Sequence, residues 1–139
     1  MNTVLVIGAG GVSNVTIHKM ASISNTFNKI ILASRTIDKC KAIQESVKNK
    51  HNVEIEIVSL DADNVKDTIS VIKKYDPFMV VNLALPYQDL NIMDACLSTN
   101  THYLDTANYE PKDEAKFEYK WQWDYQKKFE EKGLMALLG

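Results

Sequence analysis

A glycine-rich turn near the N-terminus is the first segment whose residue types and spacing could do chemistry. Gly8-Ala9-Gly10-Gly11-Val12 follows an apolar run and opens a helical pattern, an arrangement typical of turns that bind the pyrophosphate of a dinucleotide. Gly8 permits the tight turn, and Gly10 lets the backbone approach the anion beside the free N–H groups of the helix N-terminus. We therefore predict that Gly8, Gly10, Gly11 and Val12 contact a cofactor.

Ser13 occupies the position at which this motif usually has a third glycine. The helix and the strand must therefore accommodate one hydroxymethyl group where they pack closely. The alternative interpretation of the whole segment is a glycine-rich turn between a strand and a helix that binds no ligand.

The residues that end the second apolar run indicate which dinucleotide binds. An NAD-binding chain usually has Asp or Glu there, about 20 residues beyond the glycine motif, to bind the ribose 2'-hydroxyl. This chain has Ser34, Arg35 and Thr36 instead. A guanidinium and two hydroxyls can donate hydrogen bonds to a 2'-phosphate, so the sequence predicts NADP(H). Alternatively, Thr36 caps the next helix and Arg35 is only solvated; Lys39 could add positive charge or lie on the surface.

Residues that follow the other predicted strands face the same crevice, because open α/β sheets bind ligands at the carboxyl ends of their strands. We expect contacts with the adenine after the third strand, with the ribose and pyrophosphate after the fourth, and with the nicotinamide after the fifth. The residues predicted to make these contacts are Asp61 and Ala62, then Ala84, Leu85 and Pro86, then Thr106 and Ala107. Asp61 could equally cap the following helix.

Polar residues at the end of the fifth apolar run are the substrate candidates. Asp105 ends this run, so its carboxylate is either an active-site charge for an amine or a cap for the following loop. Asn108 is expected near the nicotinamide end, Tyr109 could reach the substrate crevice, and Glu110 has the charge that attracts a diamine. Alternatively, Tyr109 and Glu110 only form a turn before Pro111.

Six short apolar runs supply the strands that must position these residues. They alternate with helical patterns, which is typical of a buried parallel sheet. The runs are residues 3–7, 29–33, 53–58, 79–84, 102–105 and 134–137. We therefore predict an α/β fold of the Rossmann type, a doubly wound parallel sheet with helices on both faces, formed as one domain by residues 1–139.

The helices between these strands are predicted from apolar residues at helical spacing. In the first helix, Val12, Val15, Met20 and Ile23 share one side. Later helices are predicted around Val65, Ile69 and Ile72 with a cap at Asp63 or Asn64 and an end at Asp76-Pro77, over residues 89–99, and from about Pro111 to Gly133.

The composition argues against several classes of protein. The 139 residues include 16 Lys and Arg against 18 Asp and Glu, with a formal net charge of -2, so no broad cationic face is expected for nucleic acid or a membrane surface. The two cysteines form no CxxC and the three histidines have no metal-ligand spacing, so no metal site is predicted. Neither a signal peptide nor a run of about 18 apolar residues occurs, which favours a cytoplasmic location.

Longer phrases of the sequence resemble one enzyme family. Segments 4–12, 32–36 and 83–89 are similar to the saccharopine dehydrogenase family, and segment 103–110 with Trp121-Gln122-Trp123 resembles its carboxynorspermidine synthase branch. In that family this stretch is the N-terminal cofactor domain of a longer enzyme. The resemblance implies that a substrate and dimerisation domain follows and that the full-length enzyme is a homodimer, and the final apolar run, which no helix follows, also suggests the front part of a longer chain.

The resemblance also implies a reaction, the NADPH-dependent reductive condensation of aspartate semialdehyde with a diamine to a carboxylated polyamine such as carboxynorspermidine or carboxyspermidine. The partners are then small molecules, an aldehyde and a diamine. Two other hypotheses remain open: a saccharopine dehydrogenase that acts on lysine and 2-oxoglutarate, and a dinucleotide-sensing module without catalysis. From the isolated domain we expect cofactor binding and little turnover.

Overall fold

The computed structural model describes residues 2–116 and 118–139, which form six strands, six α-helices and one 3-10 turn at Pro86–Gln88. The strands are β1 (Thr3–Ile7), β2 (Lys29–Ser34), β3 (Glu56–Ser59), β4 (Met79–Asn82), β5 (His102–Asp105) and β6 (Ala136–Leu137). The helices are α1 (Gly11–Ser22), α2 (Ile37–His51), α3 (Val65–Tyr75), α4 (Asp89–Thr99), α5 (Lys120–Trp123) and α6 (Gln126–Glu131).

All six strands pair in parallel in the order β3-β2-β1-β4-β5-β6. The order reverses between β1 and β4, which is the switch point of a doubly wound Rossmann sheet, so the predicted fold class is confirmed. Ile7 pairs with Ala33 of β2 and with Asn82 of β4. The carboxyl ends of the three central strands therefore lie side by side at one edge of the sheet.

Helices cover both faces of the sheet, and each face has its own hydrophobic core. On one face, α1 and α2 pack through residues such as Ile17 and Val47 against β1 and β2. On the other face, α3 and α4 pack together with Phe129 of α6. Burial of apolar side chains on both faces explains why the strands read as continuous apolar runs rather than as alternating patterns.

The apolar side by which the sequence predicted α1 is mostly exposed, although the helix itself is present. Val12, Val15 and Ile23 are 60%, 65% and 52% exposed, whereas Met20 is buried. The face that packs on the sheet instead consists of Ser13, Ile17, Met20 and Ala21. Small residues at Ser13 and Ala21 allow the helix to approach the sheet closely, and this requirement outweighs the hydrophobicity of the two valines.

The long helix predicted from about Pro111 to Gly133 is also wrong. Helical structure is confined to α5 and α6, while the described residues between Pro111 and α5 form turns and irregular backbone; residue 117, inside the predicted range, lies outside the described residues. The buried Gln122 side chain accepts a hydrogen bond from the Tyr109 backbone, so tertiary contacts override the local helical pattern. Gly133 has a positive φ of 63°, as expected for a residue that ends a helix.

The remaining boundaries differ from the predictions by a few residues. β3 begins at Glu56 rather than at residue 53, β4 ends at Asn82 rather than at residue 84, and β6 is confined to Ala136–Leu137. Of the two predicted caps for α3, the structure selects Asn64, whose side chain accepts hydrogen bonds from the next backbone N–H groups. The predicted end at Asp76 is confirmed by its left-handed backbone.

The turn after β1 depends on one close approach of two backbone segments. Gly8 has a φ of +109°, which side-chain-bearing residues rarely adopt. A Cβ atom at this position would lie 2.5 Å from the Leu83 carbonyl oxygen and 2.7 Å from the carbonyl carbon. The loop after β4 therefore leaves no room for any side chain on Gly8.

Gly8→Ala is expected to lower the free energy of unfolding by at least about 3 kcal/mol, because both the backbone conformation and the contact with Leu83 become strained. Gly10→Ala is the matched control: its Cβ has nothing within 4 Å and its φ is -89°, so it should cost less than about 1 kcal/mol. Urea denaturation of the two variants measures the difference, and equal losses would contradict this account of the turn.

Candidate cofactor-binding site

A cavity of about 290 Å³ opens at the carboxyl ends of the central strands. It is bounded by the turn after β1, the end of β2 with the start of α2, the segment after β3, and the loop after β4. The residues that line it are Ile7, Gly8, Ala9, Gly10, Ser34, Arg35, Thr36, Lys39, Leu60, Ala62, Leu83, Ala84, Leu85 and Gln88. The cavity lies at the switch point, where doubly wound sheets bind their ligands.

The glycine turn forms one wall of this cavity and is held by backbone hydrogen bonds to both neighbouring strands. The Gly8 N–H donates to the Ala33 carbonyl oxygen at 2.8 Å, and the Leu83 N–H donates to the Ile7 oxygen at 2.8 Å. Gly10 is exposed directly before α1 and has only open space where a side chain would be. Its backbone and the free N–H groups at the start of α1 are therefore accessible to an anion in the cavity.

The cavity carries positive charge at the end of β2. Arg35 and Lys39 both line it, and no Asp or Glu is among its described lining residues. The Ser34 hydroxyl accepts a hydrogen bond from the Thr36 N–H at 3.2 Å, which folds the segment around Arg35. Thr36 is at the N-cap position of α2 but makes no capping hydrogen bond through its side chain, so its hydroxyl is not committed to that role.

Eight of the fourteen residues predicted to bind the cofactor line this cavity. They are Gly8, Gly10, Ser34, Arg35, Thr36, Ala62, Ala84 and Leu85. The other six lie outside the lining and are Gly11, Val12, Asp61, Pro86, Thr106 and Ala107. Contact with a cofactor stays a prediction for all fourteen residues.

Asp61 follows β3 and is hydrogen-bonded within the turn that leads to α3. Its Oδ1 accepts a hydrogen bond from the Asp63 N–H at 3.1 Å, and its own N–H donates to Asp67 at 2.9 Å. These bonds tie Asp61 into the turn before α3, while Asn64 caps that helix. The carboxylate is exposed beside the cavity rather than within it.

Gln88 is the polar lining residue that the sequence analysis missed. It is buried, its Oε1 accepts from the Leu85 N–H at 3.3 Å, and its Nε2 donates to Asp63 at 2.9 Å. The amide therefore connects the loop after β4 to the turn after β3. Its position two residues after Pro86, within segment 83–89, is a sequence signal that could have indicated it.

A buried polar network lies beyond the cavity, under the ends of β4 and β5. Asn82 donates to Asp89 at 2.7 Å and to the Tyr103 hydroxyl oxygen at 3.0 Å. The Tyr103 hydroxyl donates in turn to Asp105 at 2.7 Å, and the Gln122 amide donates to the same carboxylate oxygen at 2.6 Å. Asn82 also accepts from the Ala84 N–H at 3.0 Å, so the network fixes the backbone of the cavity wall.

The two carboxylates of this network differ in how many donors stabilise them. Asp105 accepts hydrogen bonds from Tyr103, Gln122 and the Gly139 N–H. Asp89 accepts only from Asn82, and its second oxygen has no partner among the described residues. Burial, and to a lesser degree the charge of Asp105, raises the pKa of Asp89 from 3.8 to about 8, against the lowering effect of the Asn82 hydrogen bond. Burial thus favours the protonated form of Asp89 at neutral pH.

The predicted substrate residues are close in sequence but face different surroundings. Asp105 is buried, and its oxygens accept hydrogen bonds from the Tyr103 hydroxyl and the Gly139 N–H. In this arrangement it links the end of β5 to Gly139. The Asn108 amide donates to the Tyr109 carbonyl oxygen, and the Tyr109 ring packs edge-on against Trp121 with 5.3 Å between ring centroids. Glu110 is half-buried. Their contact with substrate stays a prediction.

A second cavity, of about 410 Å³, lies beside β6 and is mostly apolar. Its lining includes Met93 of α4, Trp123 and Phe129 from the two short helices, and Leu134 and Leu138. None of its lining residues belongs to the glycine turn or to the end of β2, so it is separate from the candidate site.

The described residues hold no group of three or more His, Cys, Asp or Glu side chains placed to bind a metal ion. His18 and His51, for which the sequence spacing indicated no relation, lie with 3.0 Å between ring nitrogens. Burial and the charge of His51 lower the pKa of His18. In the part of the chain that the structure describes, no helix is long and apolar enough to cross a membrane.

Comparison with known families identifies the relatives of this chain. The sequence model of the saccharopine dehydrogenase NADP binding domain matches residues 4–137. The chain belongs to this family. NADP(H) is the cofactor of the domain, as Arg35 and the glycine turn predicted, and the family is one of oxidoreductases.

Two curated relatives of the saccharopine dehydrogenase family cover nearly the whole chain. Carboxyaminopropylagmatine dehydrogenase of Synechocystis sp. is 50% identical over 139 residues, which is 100% of this chain and 34% of the relative. Carboxynorspermidine synthase of Vibrio alginolyticus is 37% identical over 145 residues, covering 98% of this chain and 35% of the relative. The chain thus spans about a third of the length of these relatives, whose names point to polyamine synthesis.

Solved structures agree on the fold. Saccharopine dehydrogenase (L-Glu forming) of Saccharomyces cerevisiae superimposes with a TM-score of 0.77 at 17% identity, over 99% of this chain and 27% of that structure. An alcohol dehydrogenase of Thermococcus sibiricus superimposes with a TM-score of 0.65 at 16% identity, over 98% of this chain and 75% of that structure. At these identities the comparison establishes the Rossmann architecture and nothing further.

The pKa of Asp89 predicts how stability depends on pH. Its folded pKa of about 8 lies above the ordinary value of 3.8, so between these values the folded chain retains a proton that the unfolded chain releases. The free energy of unfolding should therefore fall as pH rises through this window, by at most about 1.4 kcal/mol per pH unit for one proton, and level off above it.

Asp89→Asn should remove this contribution, because the amide is neutral at every pH. Urea denaturation at pH 5 and pH 8 should show a smaller loss for Asp89→Asn than for the unmodified chain. Asp38→Asn, which replaces a carboxylate with an 89% exposed side chain, is the control and should leave the loss unchanged. Equal pH dependence in all three proteins would show that Asp89 is ionised in the folded state.

Proposed function

We propose that the 290 Å³ cavity is the NADP(H) site of this chain. Three features of the described residues support the proposal: the open backbone at Gly10, the free N–H groups at the start of α1, and the cationic side chains of Arg35 and Lys39 at the end of β2. The first two suit a pyrophosphate and the third suits a 2'-phosphate. The asymmetry of charge along the cavity also orients the nucleotide, with its adenosine end toward β2.

We propose that the enzyme to which this domain belongs couples an aldehyde to an aliphatic amine by reduction. The observation that carries this proposal is the 50% identity to carboxyaminopropylagmatine dehydrogenase across the entire chain. The aldehyde is aspartate semialdehyde, because its carbon skeleton becomes a carboxyaminopropyl group when its aldehyde carbon is joined to an amine nitrogen. The 37% identity to carboxynorspermidine synthase supports the same aldehyde with a different amine.

The amine in this proposal is agmatine, and a diamine is the second candidate. The higher identity of the first relative favours agmatine, while the second relative favours a diamine. Both amines have a primary amino group at one end and a second cation at the other. The choice between them depends on residues that hold the distant cation, among which Glu110 is our candidate within this chain.

The bonds made and broken follow from the reactants. The primary amine attacks the aldehyde carbon and water leaves, which gives an imine. The nicotinamide, when bound, supplies the hydride that reduces the imine carbon, and the nitrogen keeps or gains one proton to become a secondary amine. Residues of this chain act on binding and orientation: the glycine turn and Arg35 fix the nucleotide, and the Asn82 network fixes the cavity wall at Ala84.

We further propose that residues 1–139 act as the cofactor domain of a cytoplasmic homodimeric enzyme with a separate substrate domain. The length of the relatives, of which this chain covers 34% and 35%, supports that division. Asp105, Asn108, Tyr109 and Glu110 would then lie on the side of the sheet edge that meets the substrate domain.

Arg35→Ala should weaken NADPH binding by about tenfold and leave NADH binding nearly unchanged, because charge-assisted hydrogen bonds to the 2'-phosphate are lost. Fluorescence titration with the two reduced nucleotides measures the ratio of their dissociation constants. An unmodified chain that binds both equally well would contradict the proposed role of Arg35.

Gly10→Ala tests the other end of the site. The new methyl group has room in the cofactor-free chain but projects into the path of the pyrophosphate, so both NADPH and NADH should bind at least about tenfold more weakly while the chain stays folded. Unchanged binding of both nucleotides would place the pyrophosphate elsewhere on the molecule.

The reaction itself is tested with the full-length enzyme. NADPH oxidation should require aspartate semialdehyde together with an amine, and mass spectrometry of the product should show the carboxyaminopropyl derivative of agmatine in preference to that of a diamine. Lysine with 2-oxoglutarate is the comparison pair that tests the saccharopine dehydrogenase alternative. Tight NADPH binding without oxidation in the presence of any pair would favour a sensing module.

A further inference from the structure

In the cofactor-free chain, the Arg35 guanidinium lies close to a carboxylate. Asp63, in the turn between β3 and α3, lies with its Oδ2 atom 3.7 Å from Arg35 Nη1. Asp63 is not among the residues that line the cavity. The cation expected to bind a 2'-phosphate is thus already close to an anion of this chain.

Three hydrogen bonds hold Asp63 in this position. Its Oδ1 accepts a hydrogen bond from the buried Gln88 amide at 2.9 Å, and its N–H donates to Asp61 at 3.1 Å. Its carbonyl oxygen accepts from Asn91 of α4 at 3.2 Å. The hydrogen bond to Gln88 therefore anchors the Asp63 carboxylate to the loop after β4 and holds it beside Arg35.

We propose that Asp63 is a specificity-determining residue of the cofactor site, whose carboxylate competes with the 2'-phosphate for Arg35. This inference rests on the proposed NADP(H) site. When a 2'-phosphate binds, either the Arg35 guanidinium moves away from Asp63, or it contacts both the phosphate and the carboxylate. In the second case two anions lie near one guanidinium and repel each other. NADH has no such phosphate and leaves the pair intact. Asp63 thereby weakens NADPH binding selectively and sets the ratio between the two nucleotides.

Asp63→Asn tests this competition with little change of shape. The amide oxygen can still accept from Gln88, so the turn stays anchored while the negative charge is removed. NADPH should bind about two- to fivefold more tightly, as expected for an exposed ion pair, and NADH should bind as before. The ratio of the two dissociation constants is the readout, because a purely structural role of Asp63 would change both in parallel.

Two further proteins complete the experiment. Asp38→Asn removes another carboxylate three residues beyond Arg35, one that is 89% exposed and pairs with Lys41. It is expected to change the NADPH dissociation constant by less than half as much as Asp63→Asn. In an Arg35→Ala background, Asp63→Asn should have no effect on NADPH, since no guanidinium remains to be released.

The outcomes separate this inference from the proposal on which it rests. If Arg35→Ala leaves NADPH binding unchanged, the cofactor site itself is misplaced. If Arg35→Ala weakens NADPH binding but Asp63→Asn leaves it unchanged or weakens it, the site stands and the competition is refuted. A gain that is matched by Asp38→Asn, or that persists without Arg35, would also overturn the competition, because it would reflect general repulsion of the phosphate.

Discussion

The candidate site depends on one backbone contact, in which the turn after β1 packs directly against the loop after β4. Gly8 makes this possible, because a Cβ atom there would lie 2.5 Å from the Leu83 carbonyl oxygen. The same turn donates a hydrogen bond to Ala33, and Leu83 donates one to Ile7, so the ends of β1, β2 and β4 are tied together. A wider turn would separate these ends, and the cavity between them would lose two of its walls.

The edge of the sheet beside this contact is divided into two electrostatic environments. On the β2 side, Arg35 and Lys39 are exposed and remain hydrated, so a charged phosphate can be exchanged with solvent. On the β5 side, the carboxyl groups are buried, and burial allows a charge only where enough donors are present. Among the described residues, Asp105 accepts hydrogen bonds from three donors, whereas Asp89 accepts from one, and burial raises the pKa of Asp89 to about 8. The edge thus has exposed cationic side chains at one end and a buried, hydrogen-bonded network at the other.

The sequence predicted the parts of this arrangement that depend on local chemistry. Apolar runs located all six strands, and the glycine turn with Arg35 indicated a dinucleotide fold and the phosphorylated cofactor. The sequence did not predict features that depend on what a helix or side chain packs against. The side of α1 with two valines is exposed because Ser13 and Ala21 are small enough to face the sheet. The hydrogen bonds of Gln88 and Gln122 were not predicted, because their partners lie 25 and 17 residues away in the sequence.

At the edge strand β6, as at the centre of the sheet, a glycine allows two backbone segments to approach closely. β6 has only two residues, too few for a stable ladder, and side chains of β5 supplement its pairing: His102 accepts from the Met135 N–H and Asp105 from the Gly139 N–H. A Cβ atom at Gly139 would lie 2.6 Å from the Thr106 Cα. Gly8 therefore permits close backbone approach to Leu83, and Gly139 permits it to Thr106. Larger residues at positions 8 and 139 would prevent these two contacts, which shape the carboxyl edge of the sheet.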